Sequence, residues 1–427
     1  MRDKFRELPS VPSTVRWAIA GALAALVVFA ALGGGENVVA QKEIFAENGL
    51  LIVDKAPVRI IQDPYPTFNG IAVDEERGEV ILSDDNRASV FTYGSQFQST
   101  DSPNEPRRTL TGPKTHLGYT CSLAIFPGAN ELYALDNDWK DSLSVYPLDA
   151  DGEVAPLREI NVDHGAWGLF LDEKNDELMI TIEGINKVAV YRRLADGDEE
   201  PIRIIQGPNT ELADPHGILV DAEENEIFVA NHGNWHREET GAHAGTLFWG
   251  TRTRGSGRGS AFGGGRSLGP STGKFLLSSI TVYSRTAEGD VTPVRTIQGP
   301  KTMLNWPNGI HLDRGSGQIV VANSGNDSVL FFDRNAHGDI APVRVLKGPN
   351  TGLDGPSGVS IDTKRNELWV TNWDNHTVTA YPRTAEGDVA PLRTIRGAPA
   401  NAPLATGFGN PGHIVFDPKR KEILVPN

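Results

Sequence analysis

The stretch Pro293-Val294-Arg295-Thr296-Ile297-Gln298-Gly299-Pro300, followed by PNGIHLD (307–313), QIVVANS (318–324) and SVLFFDR (328–334), decides the fold. Each piece is short, rich in β-branched or aromatic residues, and bounded by Gly, Pro, Asn or Asp, as strands and their turns are. The same cassette recurs along the chain, marked by one arginine per unit: Arg59, Arg108, Arg158, Arg203, Arg295, Arg344 and Arg393. The interval is about 50 residues, except that it nearly doubles between Arg203 and Arg295. A repeat of that length made only of short strands predicts an all-β fold, the β-propeller.

Lettering the strands a to d from the axis outward, strand a carries the repeat glycine, as at Gly70, Gly168, Gly217, Gly309 and Gly358. Strand d carries the arginine. The two ends of the chain read as half units. Leu50–Asp54 and Val58–Ile61 look like c and d, and His413–Asn427 looks like a and b. Joined, they would complete a seventh four-stranded antiparallel blade and remove the open edge of a linear array. The expectation is therefore a seven-bladed propeller, with six or eight blades if a weak unit (107–146 or 157–191) is misread. The arginines themselves read as structural, being charges on an edge strand whose stems cover apolar surface.

Ahead of the repeats, Arg2, Lys4, Arg6 and Arg16 precede an apolar run from Trp17 to Leu32, with Val38-Val39-Ala40 after it. This is the pattern of a signal peptide over residues 1–40, cut after Ala40, or else of a retained N-terminal anchor. Either reading exports residues 41–427 as a single propeller domain, periplasmic, secreted or held on the outer side of a membrane. Cys121 is the only cysteine, so no intrachain disulfide forms and no CxxCH haem site exists. The net charge of −15 gathers largely in the a–b turns and disfavours nucleic acid as a partner. No HExxH sequence marks a metalloprotease helix.

In antiparallel blades the start of a, the end of b and the end of d share one face, here called the top. Loops vary there, and loops on a rigid scaffold are where binding usually resides. Trp139, Trp235 and Trp373 follow strand b, Trp306 lies in a d–a loop, Trp167 opens a strand a, and Trp249 lies in the insertion. Only Trp369 falls within a blade. Large rigid planes with one N–H donor suit stacking on a sugar ring, an aromatic ligand or a protein; packing beneath loops to seal the channel is the structural alternative. A Gly- and Arg-rich insertion at about 237–277, with Arg252, Arg254, Arg258, Arg266 and Lys274, cannot pack a core of its own and reads as a lid, an arm for an anionic partner, or an ornament.

The residue before the strand-a glycine should reach the axis: Asn69, Cys121, Trp167, His216, Asn308, Ser357 and Gly412. Strand b ends in Asp84, Asp136, Asn231, Asn323, Asn372 and Asn427, with Ile182 the exception. Pairing a with b in the fourth unit places His216 opposite Asn231 and beside His232, with His236 four residues on. Such a set could hold Zn2+ or, with more oxygens, Ca2+; equally, Asn, Asp and His there suit tight turns.

The PNGI and EIFVAN units resemble those of the NHL-repeat propellers, over essentially residues 44–427. More distantly they resemble gluconolactonase-like hydrolases and streptogramin lyases, which keep an axial metal. That resemblance implies a ligand role for Asn308, within Pro307-Asn308-Gly309, although the early glutamate ligand of the gluconolactonase group has no clear match. Three functions follow as expectations. The first is an exported module that binds a small molecule, glycan or protein through Trp139, Trp167, Trp235, Trp306 and Trp373. The second is a metal-dependent lactonase-like hydrolase or lyase, with Asn69, His216, Asn308 and His232 at the metal and His164 or His413 as general base. The third is an envelope scaffold whose contact is the basic insertion. The membrane enters as a partner only if the N-terminal segment is uncleaved.

Overall fold

The computed structural model describes residues 65–98, 102–137, 140–233, 235–236 and 274–400, with the backbone of four further short strands. Two units are separated, 1–62 and 63–427. In the first, Lys42–Phe45 pairs antiparallel with Leu51–Asp54. Among the described residues of the second, six four-stranded antiparallel sheets form, each in the order a-b-c-d.

Blade 1 comprises Phe68–Asp74, Glu79–Asp84, Ser89–Gly94 and Arg108–Leu110; blade 2, Thr120–Phe126, Glu131–Asp136, Ser142–Pro147 and Arg158–Asn161. Blade 3 comprises Ala166–Asp172, Glu177–Ile182, Lys187–Arg192 and Arg203–Gln206; blade 4, Pro215–Asp221, Glu226–Asn231, Ser279–Ser284 and Arg295–Gln298. Blade 5 comprises Pro307–Asp313, Gln318–Asn323, Ser328–Asp333 and Arg344–Leu346; blade 6, Pro356–Asp362, Glu367–Asn372, Thr377–Pro382 and Arg393–Arg396. Strands b and c are buried almost throughout, between the sheets on either side. Among the described residues no helix is long and apolar enough to cross a membrane.

Among the described residues the expected seventh blade does not form. Leu51–Asp54 takes Lys42–Phe45 as its partner, Val415–Asp417 pairs with Glu422–Leu424 as the expected a and b, and Val58–Ile61 lies outside the described residues. The ring closes without either pair, and the strand-a glycines show why. A Cβ on Gly309 would stand 2.6 Å from the Ser357 carbonyl, and one on Gly358 would stand 2.8 Å from the Asn69 carbonyl. Gly168 and Gly217 meet the carbonyls of His216 and Asn308 in the same way. Each inner strand thus abuts the backbone of the next blade, and the sixth abuts the first. Thr363 and Arg365 of blade 6 also reach Glu75 of blade 1, and His376 lies 2.8 Å from the Pro66 carbonyl. No gap is left for another sheet.

A bulge near the start of strand a accompanies this close approach, as between Pro356 and Val359. It takes the glycine N–H out of the ladder, and a strand-b hydroxyl accepts it instead: Ser83 from Gly70, Thr181 from Gly168 and Thr371 from Gly358, at 2.7–2.8 Å. Thr371 also donates to the Asn69 carbonyl at 2.8 Å, tying blade 6 to blade 1.

The repeated arginine is structural, through a specific partner. Each opens strand d and reaches across strand c to the first residue of strand b. Arg108 grips Glu79 at 2.9 and 2.7 Å, Arg203 grips Glu177 at 2.8 Å twice, and Arg295 grips Glu226 at 2.6 and 2.8 Å. Arg158–Glu131 and Arg393–Glu367 repeat the pairing. A planar guanidinium is the side chain that makes this two-point contact. Arginines at the end of the next blade's strand c add inter-blade ties: Arg193 to Glu131, Arg285 to Glu177 and Arg334 to Glu226, at 2.8, 2.7 and 3.1 Å. The Arg108 hydrogen bonds hold the Glu79 carboxyl below its ordinary range despite its burial. Blade 5 departs, with Gln318 accepting from Arg344. Burial pulls that guanidinium downward, and it lies 3.7 Å above the Phe331 ring. Arg59 falls outside the described residues.

Candidate functional site

Two rings of side chains line the top of the channel. The residues before the strand-a glycine, Asn69, Cys121, Trp167, His216, Asn308 and Ser357, form one, as the repeat alignment predicts; Gly412 lies outside the described residues. The second ring was not foreseen. It consists of the residue just after strand b: Asp85, Asn137, Glu183, His232, Ser324 and Trp373. A repeated hydrogen bond places it, from that residue's N–H to the carbonyl two positions before the inner-ring residue. The bond is Asp85 to Thr67, Asn137 to Tyr119, Glu183 to Gly165, His232 to Asp214, Ser324 to Trp306 and Trp373 to Gly355, all at 2.8–3.1 Å.

The strand-b terminal residues instead turn away and cap loops. Asp84 accepts from the N–H groups of Thr67 and Asn86, Asn231 from Ala213 and Asn323 from Asn305, at 2.7–3.1 Å. Alternation along a strand sends neighbouring side chains to opposite sides, so an offset of one residue separates cap from channel. For the same reason His216 does not stand opposite Asn231. The register pairs Pro215 with Asn231, and a bulge follows.

Trp167 of blade 3 spans the mouth. Its indole N–H donates to Asn308 Oδ1 of blade 5 at 3.0 Å. Its ring lies 4.4 Å from His216, 6.4 Å from Trp373 of blade 6 and 6.2 Å from Tyr119 of blade 2. This indole therefore links blade 3 to blades 2, 4, 5 and 6. A second aromatic assembly stands beside it. His216 and His232 stack with centroids 3.3 Å apart and planes 18° apart, and His232 stacks on Trp306 at 5.2 Å and 14°. The outermost ring, Trp306, is 50% exposed, whereas His216 and His232 are buried. Trp306 sits at φ 52° and Asp214 at φ 56°, a region that costs a side chain of this size free energy unless packing holds it.

Burial lowers the proton affinity of both histidines, that of His232 most, with His216 adding to it. Both imidazoles are neutral at neutral pH. His216 Nδ1 lies 3.1 Å from the Asp214 carbonyl and its Nε2 lies 3.3 Å from Glu183 Oε2. Asp214, His216 and His232 each offer a donor atom within 4.8 Å of the others. Neither Asp214 nor Glu183 is singled out by the repeat alignment. The signal that finds them is position: two before the inner-ring residue, and one after strand b.

On the other side of the mouth, Asn69 donates to Asp85 at 2.9 Å. Burial, with Asp84 and Asp136 adding to it, pushes the Asp85 carboxyl well above the usual range. Cys121 is buried beneath the Ala166 and Trp167 carbonyls, and burial pushes its thiol upward. His164 pairs with Asp141 at 2.9 Å, in the loop entering blade 3. The structure thus gathers Trp167, His216, His232, Trp306, Asn308 and Trp373 at one mouth, while Asn69 joins a carboxylate on blade 1. Trp139, Trp249 and His413 lie outside the described residues. Of Trp235 and His236 only the backbone is described, as a strand paired with Lys274–Phe275. Trp369 is wholly buried within blade 6.

Residues 353–381, strands a to c of blade 6, match the NHL repeat family. The chain is a β-propeller with one blade that matches the NHL repeat. Among solved structures, it is similar to a functionally unknown protein from Desulfotomaculum acetoxidans DSM 771, at 14% identity over 81% of this chain and 90% of that one, TM-score 0.48. It is also similar to Kuenenia stuttgartiensis hydrazine synthase, at 12% identity over 87% and 98%, TM-score 0.48. No curated protein matches the sequence.

Proposed function

We propose that this NHL-like propeller is a binding module whose top mouth takes a planar ligand, an aromatic ring or the apolar face of a sugar, against Trp306. One observation carries the reading: the His216–His232–Trp306 stack is buried at its inner end and terminates in a half-exposed indole. A stacked series ending at solvent offers its last face to another ring, and the histidines behind it hold that indole in place. Glu183, Asp214 and the Asp374 carboxylate beside Gly355 supply acceptors around the rim, which suits hydroxyl or amino substituents on the ligand. Export by residues 1–40 belongs to this reading, and fractionation of cells producing the full chain tests it. The binding test is quenching or shift of intrinsic tryptophan fluorescence across a panel of glycans and aromatic compounds. A saturable change that Trp306→Ala removes supports the reading; a panel that leaves the wild-type spectrum untouched refutes it.

A further inference from the structure

Beneath the Trp306 indole, the two histidines are poorly served as they stand. His216 presents both ring nitrogens to oxygens: Nδ1 to the Asp214 carbonyl at 3.1 Å and to its Oδ1 at 3.7 Å, and Nε2 to Glu183 Oε2 at 3.3 Å. A neutral imidazole carries one N–H, so one nitrogen lone pair must face an oxygen lone pair. His232 is only 7% exposed, its Nε2 is buried without a hydrogen-bond partner, and its Nδ1 stands 3.8 Å from Asp214 Oδ2. The Asp214 carboxylate thus spans two imidazoles at distances too long for hydrogen bonds to either. A bound cation would give the Nδ1 atoms of both imidazoles and the Asp214 carboxylate one common partner.

We propose that Asp214, His216 and His232 form a binding site for a divalent first-row transition ion of the Zn2+ type. Two imidazoles and one carboxylate are a borderline donor set, which favours such an ion over Ca2+ or Mg2+, whose ligands are oxygens. Glu183 then takes the outer position. His216 donates its Nε2–H to that carboxylate, which fixes the tautomer and leaves Nδ1 for the ion, the arrangement that ligating histidines favour. Donors about 2.1 Å from a tetrahedral ion stand about 3.4 Å apart. The carboxylate–imidazole separations of 3.7 and 3.8 Å therefore need to contract by a few tenths of an ångström. The two rings, now stacked 18° from parallel, must splay so that both lone pairs converge. That movement shifts His232 against Trp306, so metal uptake has an optical signature.

This site goes beyond the planar-ligand reading and is tested without any organic ligand. The full chain is stripped with EDTA and titrated with Zn2+, and separately with Co2+, Ca2+ and Mg2+, by calorimetry and tryptophan fluorescence. One equivalent of Zn2+ or Co2+ is expected to bind with a fluorescence change, while Ca2+ and Mg2+ are not. His232→Ala and His216→Ala should each weaken Zn2+ binding at least 100-fold. Glu183→Gln, on a part-exposed side chain that leaves the core intact, should weaken it about 10-fold. His337→Ala, at an exposed histidine on blade 5, should leave it unchanged. Thermal melts of each variant identify any that fail to fold, in which case Glu183→Gln carries the test. Absence of stoichiometric Zn2+ binding by the wild type overturns the proposal, as does binding indifferent to Glu183→Gln and to the folded histidine variants.

Discussion

The two ends of the channel are built on opposite rules. Around the bottom, an arginine on strand d meets the first residue of strand b in blade after blade, and four of these pairs or their neighbours are stitched to the next blade. Around the top, the positions that face the axis differ in every blade: Asn69 with Asp85, Cys121 with Asn137, Trp167 with Glu183, His216 with His232, Asn308 with Ser324, Ser357 with Trp373. Repetition serves blade-on-blade packing, where each interface needs the same geometry. Variation at one end is what the proposed binding role of that face requires.

The largest effect should come at the axis, which both ends share. Gly358→Val drives a branched side chain into the Asn69 carbonyl and Thr371, neither of which can withdraw without opening the seam between blades 6 and 1. Overpacking of this kind costs about 3 kcal/mol or more. Urea denaturation should show a large drop in midpoint; an unaltered midpoint would mean that the ring does not close there.

At the bottom, Arg203→Ala leaves the part-buried Glu177 with Arg285 alone and should cost about 2 kcal/mol. Arg344→Ala faces a neutral amide, Gln318, and should cost roughly half as much. Equal losses in the same denaturation series would show that the carboxylate adds nothing to the ladder.

The top should respond to pH. Burial lowers the folded-state pKa of His232 below its ordinary 6.5, so the unfolded chain takes up the proton first as pH falls. The stability tied to its neutral form is fully present above about pH 6.5 and is lost as pH falls below that value toward the folded pKa. Asp84 works in the opposite sense, because burial raises its pKa to about 7 and its contribution weakens as pH rises from about 4 to 7. The two are separated by comparison with His232→Gln, which lacks the first titration. Between pH 7.5 and 5 the metal-free variant should lose less thermal stability than metal-free wild type, and parallel curves would remove His232 as the cause.

The smallest stability effect is expected for Trp306→Ala. The indole is half exposed, so its removal should change the free energy of unfolding by about 1 kcal/mol or less while abolishing planar-ligand binding. A loss as large as that at Gly358 would mean that Trp306 is part of the scaffold and not a display surface.

Much of this plan was legible in the chain. The arginine repeat set the unit, the strand order and the top face, because turns and alternation are local properties. The inner ring was legible too, since it is anchored to a glycine visible in most copies. Asp214 and Glu183 were not. They flank strands, just before a and just after b, at positions whose residue type differs between blades, and the repeated backbone bond is what sets them in register. The repeat alignment placed Trp167 on the axis and Trp306 in a loop, but that Trp167 reaches from blade 3 to Asn308 of blade 5 was not legible.

By itself the sequence determined what each blade is. How many blades there are was decided only in three dimensions. At the C-terminal end the expected a and b strands do pair, whereas Leu51–Asp54 forms a hairpin with Lys42–Phe45, a short loop that closes at low entropic cost. Six sheets already turn full circle, because the strand-a glycines let each blade approach the next backbone to backbone and so fix the angle between them.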